Sequence, residues 1–292
     1  MSLKLKKIFL VQFCFLNFVI SFYAFASDPK PSKTITAPTS SFAASSGAGA
    51  SAPGDASMMD ANPAILPALK KQYSVFGGTS WQNDFDLIEA GIFDSTTTPV
   101  SMVIRGRETI PSDKISRDRS LKIGLGYQIP AIPNLSVGGS FEYQQLSLFK
   151  IWDWKSENYL MGAGLFYQLN VIDNNPIFLG LSTKGLFDKY NDNIVDIGAS
   201  IVTLNNLVTL NSDALFDSNN GFQSIVSGAN IAKTFLELKG SLGYNPTKAR
   251  IFWGSGIFFK APVLHIYYTL VKADSDDTTI RQTAGVELAF SL

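Results

Sequence analysis

Cysteine and histidine are almost missing from this chain. Each occurs once, as Cys14 and His265. That excludes a disulfide framework and a Cys/His zinc site. Charge is also scarce: only 16% of residues are charged, with 24 basic against 24 acidic. No basic block is present, so the composition speaks against a nucleic-acid partner. There is no phosphate-binding loop, no clustered metal ligands, and no nucleophile motif beside His265. The chain therefore reads as a non-enzyme without a cofactor. Long hydrophobic runs are missing as well. Beyond residue 26 no stretch is apolar enough to span a bilayer as a helix. Yet 46% of the residues are hydrophobic and the mean hydropathy is +0.12. Apolar character without apolar runs has to be dispersed in alternation.

The first residues have the make-up of a secretory signal. Lys4, Lys6 and Lys7 form a basic start, Ile8 to Phe22 an apolar middle, and Ala24-Phe25-Ala26 a peptidase site. Residues 1–26 are expected to be a signal peptide cleaved after Ala26. A retained anchor is the competing reading, but the apolar run falls short of the ~20 residues it needs. Cys14 lies inside the apolar core without a lipobox and leaves with the leader. Residues 27–46, rich in Ser, Pro, Thr and Ala, read as a flexible linker.

From about residue 71 the chain alternates. Leu121, Ile123, Leu125 and Tyr127 interleave with Lys122, Gly124 and Gly126. Val195, Ile197, Ala199 and Ile201 interleave with Asp196, Gly198 and Ser200. Ala284, Val286, Leu288 and Phe290 share one parity, and Arg281, Thr283, Gly285 and Glu287 the other. Period two means strands with unlike faces. A soluble sandwich alternates too. Two features favour a membrane: the polar parity is rich in Gly, Ser and Thr, and tyrosines close the apolar parity at Tyr127, Tyr143, Tyr167 and Tyr244. In lipid such strands must close on themselves to pair every backbone group.

The fold class is thus all-β: a transmembrane antiparallel β-barrel over residues 71–292. Strands are expected near 72–81, 84–93, 98–106, 119–128, 134–144, 157–169, 176–187, 192–203, 207–216, 222–230, 233–244, 249–260, 263–272 and 279–292. That is about 14 strands. The segment at 222–230 alternates least. An even count leaves both termini on the periplasmic side. The longest connections, 107–118 and 145–156, then face outward. The second holds Leu146, Leu148, Phe149, Ile151, Trp152 and Trp154 with Lys150 and Lys155, as an extended aromatic girdle would.

Residues 47–70 carry a different signature. Gly47-Ala48-Gly49-Ala50 is followed by Gly54-Asp55-Ala56-Ser57, then by Asn62-Pro63-Ala64. This segment resembles the N-terminal hatch of the long-chain fatty-acid transporter (FadL-like) family and its PorV-type relatives. Asp213-Ala214-Leu215-Phe216, Leu242-Gly243-Tyr244, the hairpin at 263–272 and the closing segment Arg281 to Leu292 extend the resemblance. It implies a 14-stranded barrel with an N-terminal plug. Asp60-Ala61 stands where the family has an aromatic pair, and Ile65 where it has a glycine.

Two sets of residues are singled out. Asn62, Pro63 and Ala64 are hatch candidates: Asn62 holds a turn through its side chain and Pro63 fixes the backbone. Met58, Met59, Ile65, Leu66 and Leu69 supply apolar material for a plug. A disordered leader, or a helix across the barrel mouth, are the alternatives. Lys122, Glu142, Lys184, Asp196, Asp213, Glu237, Lys239, Arg281 and Glu287 fall on the polar parity and are lumen candidates. They either line a ligand path or pair across strands, and their mixed sign argues against a charge-selective pore.

The expected setting is the cell outer membrane, with lipid around the barrel and the barrel-assembly machinery as partner during insertion. Passive uptake of hydrophobic small molecules is the function the resemblance implies. A structural or partner-binding barrel without transport is the other.

Overall fold

The computed structural model describes residues 49–52, 54–69, 72–82, 85–111, 116–148, 154–172, 175–187, 193–219, 221–272 and 280–290. The expected signal peptide and linker lie outside these residues.

Fourteen strands follow one another in order: β1 Tyr73–Gln82, β2 Phe85–Asp94, β3 Val100–Pro111, β4 Ser116–Gln128, β5 Leu135–Leu148, β6 Trp154–Ile172 and β7 Asn175–Leu186. Then come β8 Ile194–Thr203, β9 Val208–Asp217, β10 Gly221–Lys233, β11 Leu236–Asn245, β12 Arg250–Lys260, β13 Leu264–Lys272 and β14 Arg281–Phe290. Each pairs antiparallel with its neighbours, and β14 returns to β1 to close the barrel. No edge is left open, which is what a hydrocarbon surround demands.

The pleat decides what faces outward. Leu242 is 60% exposed and Ile251 59%, while Asp196 and Asp213 are 0% exposed. The apolar parity therefore lies outside and the polar parity inside, the reverse of a soluble protein. The outer surface is one that a bilayer, not water, accommodates.

The end holding the start of β1 and the end of β14 is termed the near end. Its connections are short: 95–99, 129–134, 173–174, 204–207, 234–235 and 261–263. The turn at 204–206 places Leu204, Asn205 and Asn206 at φ 53, 57 and 67°, the left-handed region that asparagine tolerates.

At the far end the structure corrects two expectations. Residues 107–118 and 145–156 are mostly not connections. β3 runs to Pro111, β4 starts at Ser116, β5 runs to Leu148 and β6 starts at Trp154. Leu146 and Leu148 are thus strand residues, as is Trp154; residues 149–153 lie outside the described set. The alternation fades there, and charged and polar residues take its place. Polar pairs hold these strand ends. Glu108 pairs with Arg119 at 3.2 Å, and Glu157 accepts from the hydroxyls of Tyr143 and Tyr159.

The segment near 222–230 is a full strand, β10. Its register with β9 shifts between Phe222 and Ser224. The bulge and a run of small residues, Ser227, Gly228 and Ala229, blur its alternation.

Candidate functional site

Residues 49–69 run along the inner face of the wall. Two 3₁₀ turns organise them, Ala56–Asp60 and Pro63–Ala68. Each opens on a side-chain cap. Asp55 accepts from the Ser57 amide at 2.9 Å, and Asn62 from the Ala64 amide at 3.0 Å. Pro63 follows its cap in the position where a missing N–H costs nothing.

Asn62 is 0% exposed and uses both ends of its amide. Beyond the cap, its Nδ2 donates to the Ala50 carbonyl at 2.8 Å and to the Leu165 carbonyl of β6 at 2.9 Å. One side chain thus ties the turn, the preceding segment and the barrel wall together. Ser182 donates to the Ala61 carbonyl at 2.6 Å, and Ser200 to the Ser51 carbonyl at 2.8 Å. Asp213 of β9 accepts from the amides of Gly49 and Ala50, the second at 2.7 Å.

Close approach is possible because several wall positions beneath the segment are glycines. Gly126 of β4 is paired with Gly138 of β5, and Gly138 with Gly164 of β6. Gly180 of β7 is paired with Gly198 of β8, and Gly198 with Asp213. A Cβ on Gly138 would overlap the Pro63 carbonyl and the Ala64 amide. One on Gly164 would overlap the Asn62 amide, and one on Gly180 the Ala50 carbonyl. The glycines form a track for a peptide backbone.

Charge fixes the segment at its middle. Asp60 meets Arg105 of β3 in a two-pronged contact, 2.5 and 3.0 Å, and Lys122 of β4 at 2.7 Å. Burial would push the Asp60 carboxyl up, but the Arg105 and Lys122 charges outweigh it. They hold it well below the usual carboxylate range. Met58, Met59, Ile65 and Leu66 are no more than 2% exposed and pack with Phe93, Val103, Phe166 and Phe178 of the wall.

The lumen candidates do not converge on one centre. Lys122 lies 3.7 Å from Glu142, which also takes Arg107 at 3.1 Å. Lys184 pairs with Asp196 at 3.1 Å, beside Asp213. Glu237 pairs with Lys239 at 3.4 Å and with Lys260. Glu287 takes His265 at 2.9 Å and Gln72 at 3.2 Å, and Arg281 donates to Gln82 at 3.3 Å. Opposite charges are paired locally around the wall.

Sequence reasoning passed over Asp60, Arg105 and the glycine track. Asp60 had one signal, its place in a family aromatic pair. Arg105 was hidden because inward Val103 and outward Ile104 are both apolar. The glycines align only once the strand register is known.

No protein-family profile matches the chain, and no curated protein matches its sequence. Among solved structures it is similar to the CymD monoaromatic hydrocarbon channel, at TM-score 0.60 and 10% identity, over 86% of this chain and 97% of that one. It is also similar to the Ralstonia pickettii toluene transporter TbuX, at TM-score 0.53 and 11% identity, over 85% and 96%. At these identities the shared property is the fold.

Proposed function

We propose that this protein is an integral outer-membrane channel for the passive uptake of hydrophobic small molecules, with residues 49–69 as its hatch. On this reading the chain is exported by a cleaved signal peptide and inserted by the barrel-assembly machinery. The observation that carries the reading is the fit of residues 49–69 to a glycine track inside a 14-stranded barrel. A barrel of this size encloses more space than wall side chains alone fill. A segment held by caps, ion pairs and a glycine-lined path suits a stopper better than a passive leader. The fold shared with a hydrocarbon channel and a toluene transporter supports an apolar cargo.

Asn62, Pro63 and Ala64 are the hatch's turn. Lys122 and Asp213 hold it to the wall. Glu142, Lys184, Asp196, Glu237, Lys239, Arg281 and Glu287 keep the lumen polar and locally neutral.

The test is uptake of labelled toluene and of a labelled fatty acid by cells with and without the protein. The channel reading predicts faster uptake of at least one with the protein present. Equal uptake together with loss of a surface-assembled protein on deletion would instead support the partner-binding barrel.

A further inference from the structure

We infer that the cleft between the hatch and strands β9–β11 is a subsite for the hydroxyl group of a small apolar molecule. The inference deepens the uptake reading and rests on it. Ala52, Gly54 and Met58 form the hatch side of this cleft, and Thr209, Asn211, Gly228, Asn230 and Lys239 are among the residues of its wall side.

Two buried polar atoms at the cleft are unpartnered. They are the Asn211 Nδ2 and the Asn230 Oδ1. Buried amide groups of this kind are costly unless something meets them. Their chemistry is defined by what holds the rest of each side chain. Asn230 spends its Nδ2 on the Glu237 carboxylate at 2.5 Å, so its free atom is an acceptor. Glu237 is in turn held by Lys239 and Lys260. Asn211 lays its oxygen over Gly228, where a Cβ would crowd it, and its free atom is a donor.

Asn211 pairs with Gly228 and Thr209 with Asn230, so the two asparagines are diagonal neighbours on one face. Diagonal positions are within reach of a single group. The site therefore asks for one group that accepts from Asn211 and donates to Asn230. A hydroxyl does both. An ionised carboxylate cannot donate, and an ammonium cannot accept. A hydrocarbon leaves both asparagines unpaired. Lys239 does not change this choice, since its charge is engaged by Glu237 and by the Phe258 ring at 4.7 Å. The Met58 thioether and the Gly228 and Gly240 backbone offer an apolar surface to the rest of the molecule.

The test is calorimetric titration of the detergent-purified full chain with p-cresol and with p-xylene, which differ by a hydroxyl in place of a methyl. We expect p-cresol to bind about tenfold more tightly. Asn211→Leu and Asn230→Leu should each bring the ratio near one while p-xylene affinity stays within about threefold. Folding of each variant is read from its heat-dependent gel migration. Should Asn230→Leu not fold, Asn211→Leu alone decides, because Asn211 has no part in the Glu237 cluster. Equal affinity for the two molecules, or a preference that survives Asn211→Leu, overturns the subsite and leaves uptake standing. Failure of both molecules to bind likewise overturns the subsite; the uptake reading stands or falls separately, on the toluene and fatty-acid assay.

Discussion

The inner wall has two halves that solve the same packing problem differently. On β4 to β8 the inward Gly126, Gly138 and Gly180 lie against the main chain of residues 49–69, and Gly124 and Gly164 against its side chains. Across the lumen several inward glycines are covered by aromatic rings of the wall itself. Tyr267 lies over Gly78 and Gly285, and Phe252 over Gly243. The first half is finished by another part of the chain, the second by its own strands. A wall that fills its own gaps needs nothing more. A wall whose gaps match a separate backbone is built to receive it. On the hatch half the polar groups also reach inward to the segment, as Ser182, Ser200 and Asp213 do. On the far half Lys239 pairs with Glu237 and His265 with Glu287, within the wall.

Substitutions sharpen this contrast. The largest effect is expected from Asp60→Ala. It strips a buried Arg105, 1% exposed, of its bidentate partner. Breaking such a pair costs about 3–5 kcal/mol. Hydrogen exchange over residues 56–69 should accelerate, while β10–β14 stay protected. Arg105→Met added to Asp60→Ala should recover part of the loss, because Arg105 is then no longer a buried charge without its partner.

Gly138→Val comes next. Its side chain would strike the Pro63–Ala64 backbone, at a cost of about 1–3 kcal/mol. The expected outcome is a folded barrel with residues 49–69 open to protease. The same change at Gly240, where a Cβ meets nothing within 4 Å, should leave cleavage unchanged. Gly240 is on the outward parity of β11, so equal sensitivity at the two positions would mean that the effect at Gly138 does not come from contact with the segment.

Asn62→Ala removes a cap and two bonds to carbonyls. A loss of about 2 kcal/mol in the docking of the segment is expected, read from the same exchange experiment.

The smallest effect concerns acid. The Asp60 carboxyl has a lowered pKa in the folded state. A group of this kind contributes stability above its unfolded value and loses it only as pH falls through the folded one. Exchange protection of residues 56–60 should therefore be unchanged from pH 7 to about pH 4, near the ordinary aspartate value. A loss of protection already at pH 5 would mean that Arg105 and Lys122 do not hold this carboxylate.

The barrel was legible because lipid imposes a strict rule. Outward residues such as Leu242, Ile251 and Val286 must be apolar, so period two survives in the sequence. Fourteen strands were expected on this rule, although the segment near 222–230 barely follows it. The rule lapses at the far end of β3 to β6, where the alternation gives way to charged and polar residues, so those strand ends were expected to be loops. The turns of the inner segment were partly legible, through Asn62-Pro63-Ala64 and its neighbours. The segment's seat was not. Gly126, Gly138 and Gly164 are far apart in sequence and become a row only through the β4–β5 and β5–β6 registers. Arg105 was lost for a related reason. Near the hatch the inner wall carries apolar residues such as Phe93, Val103 and Phe166, so the polar parity there is broken by packing.

On the proposed function, residues 49–69 close an otherwise open barrel. Planar-bilayer conductance of the full chain against a chain lacking residues 49–69 tests it most directly. The account predicts a nearly silent full chain and large, steady channels without the segment. Equal conductance of the two would contradict it.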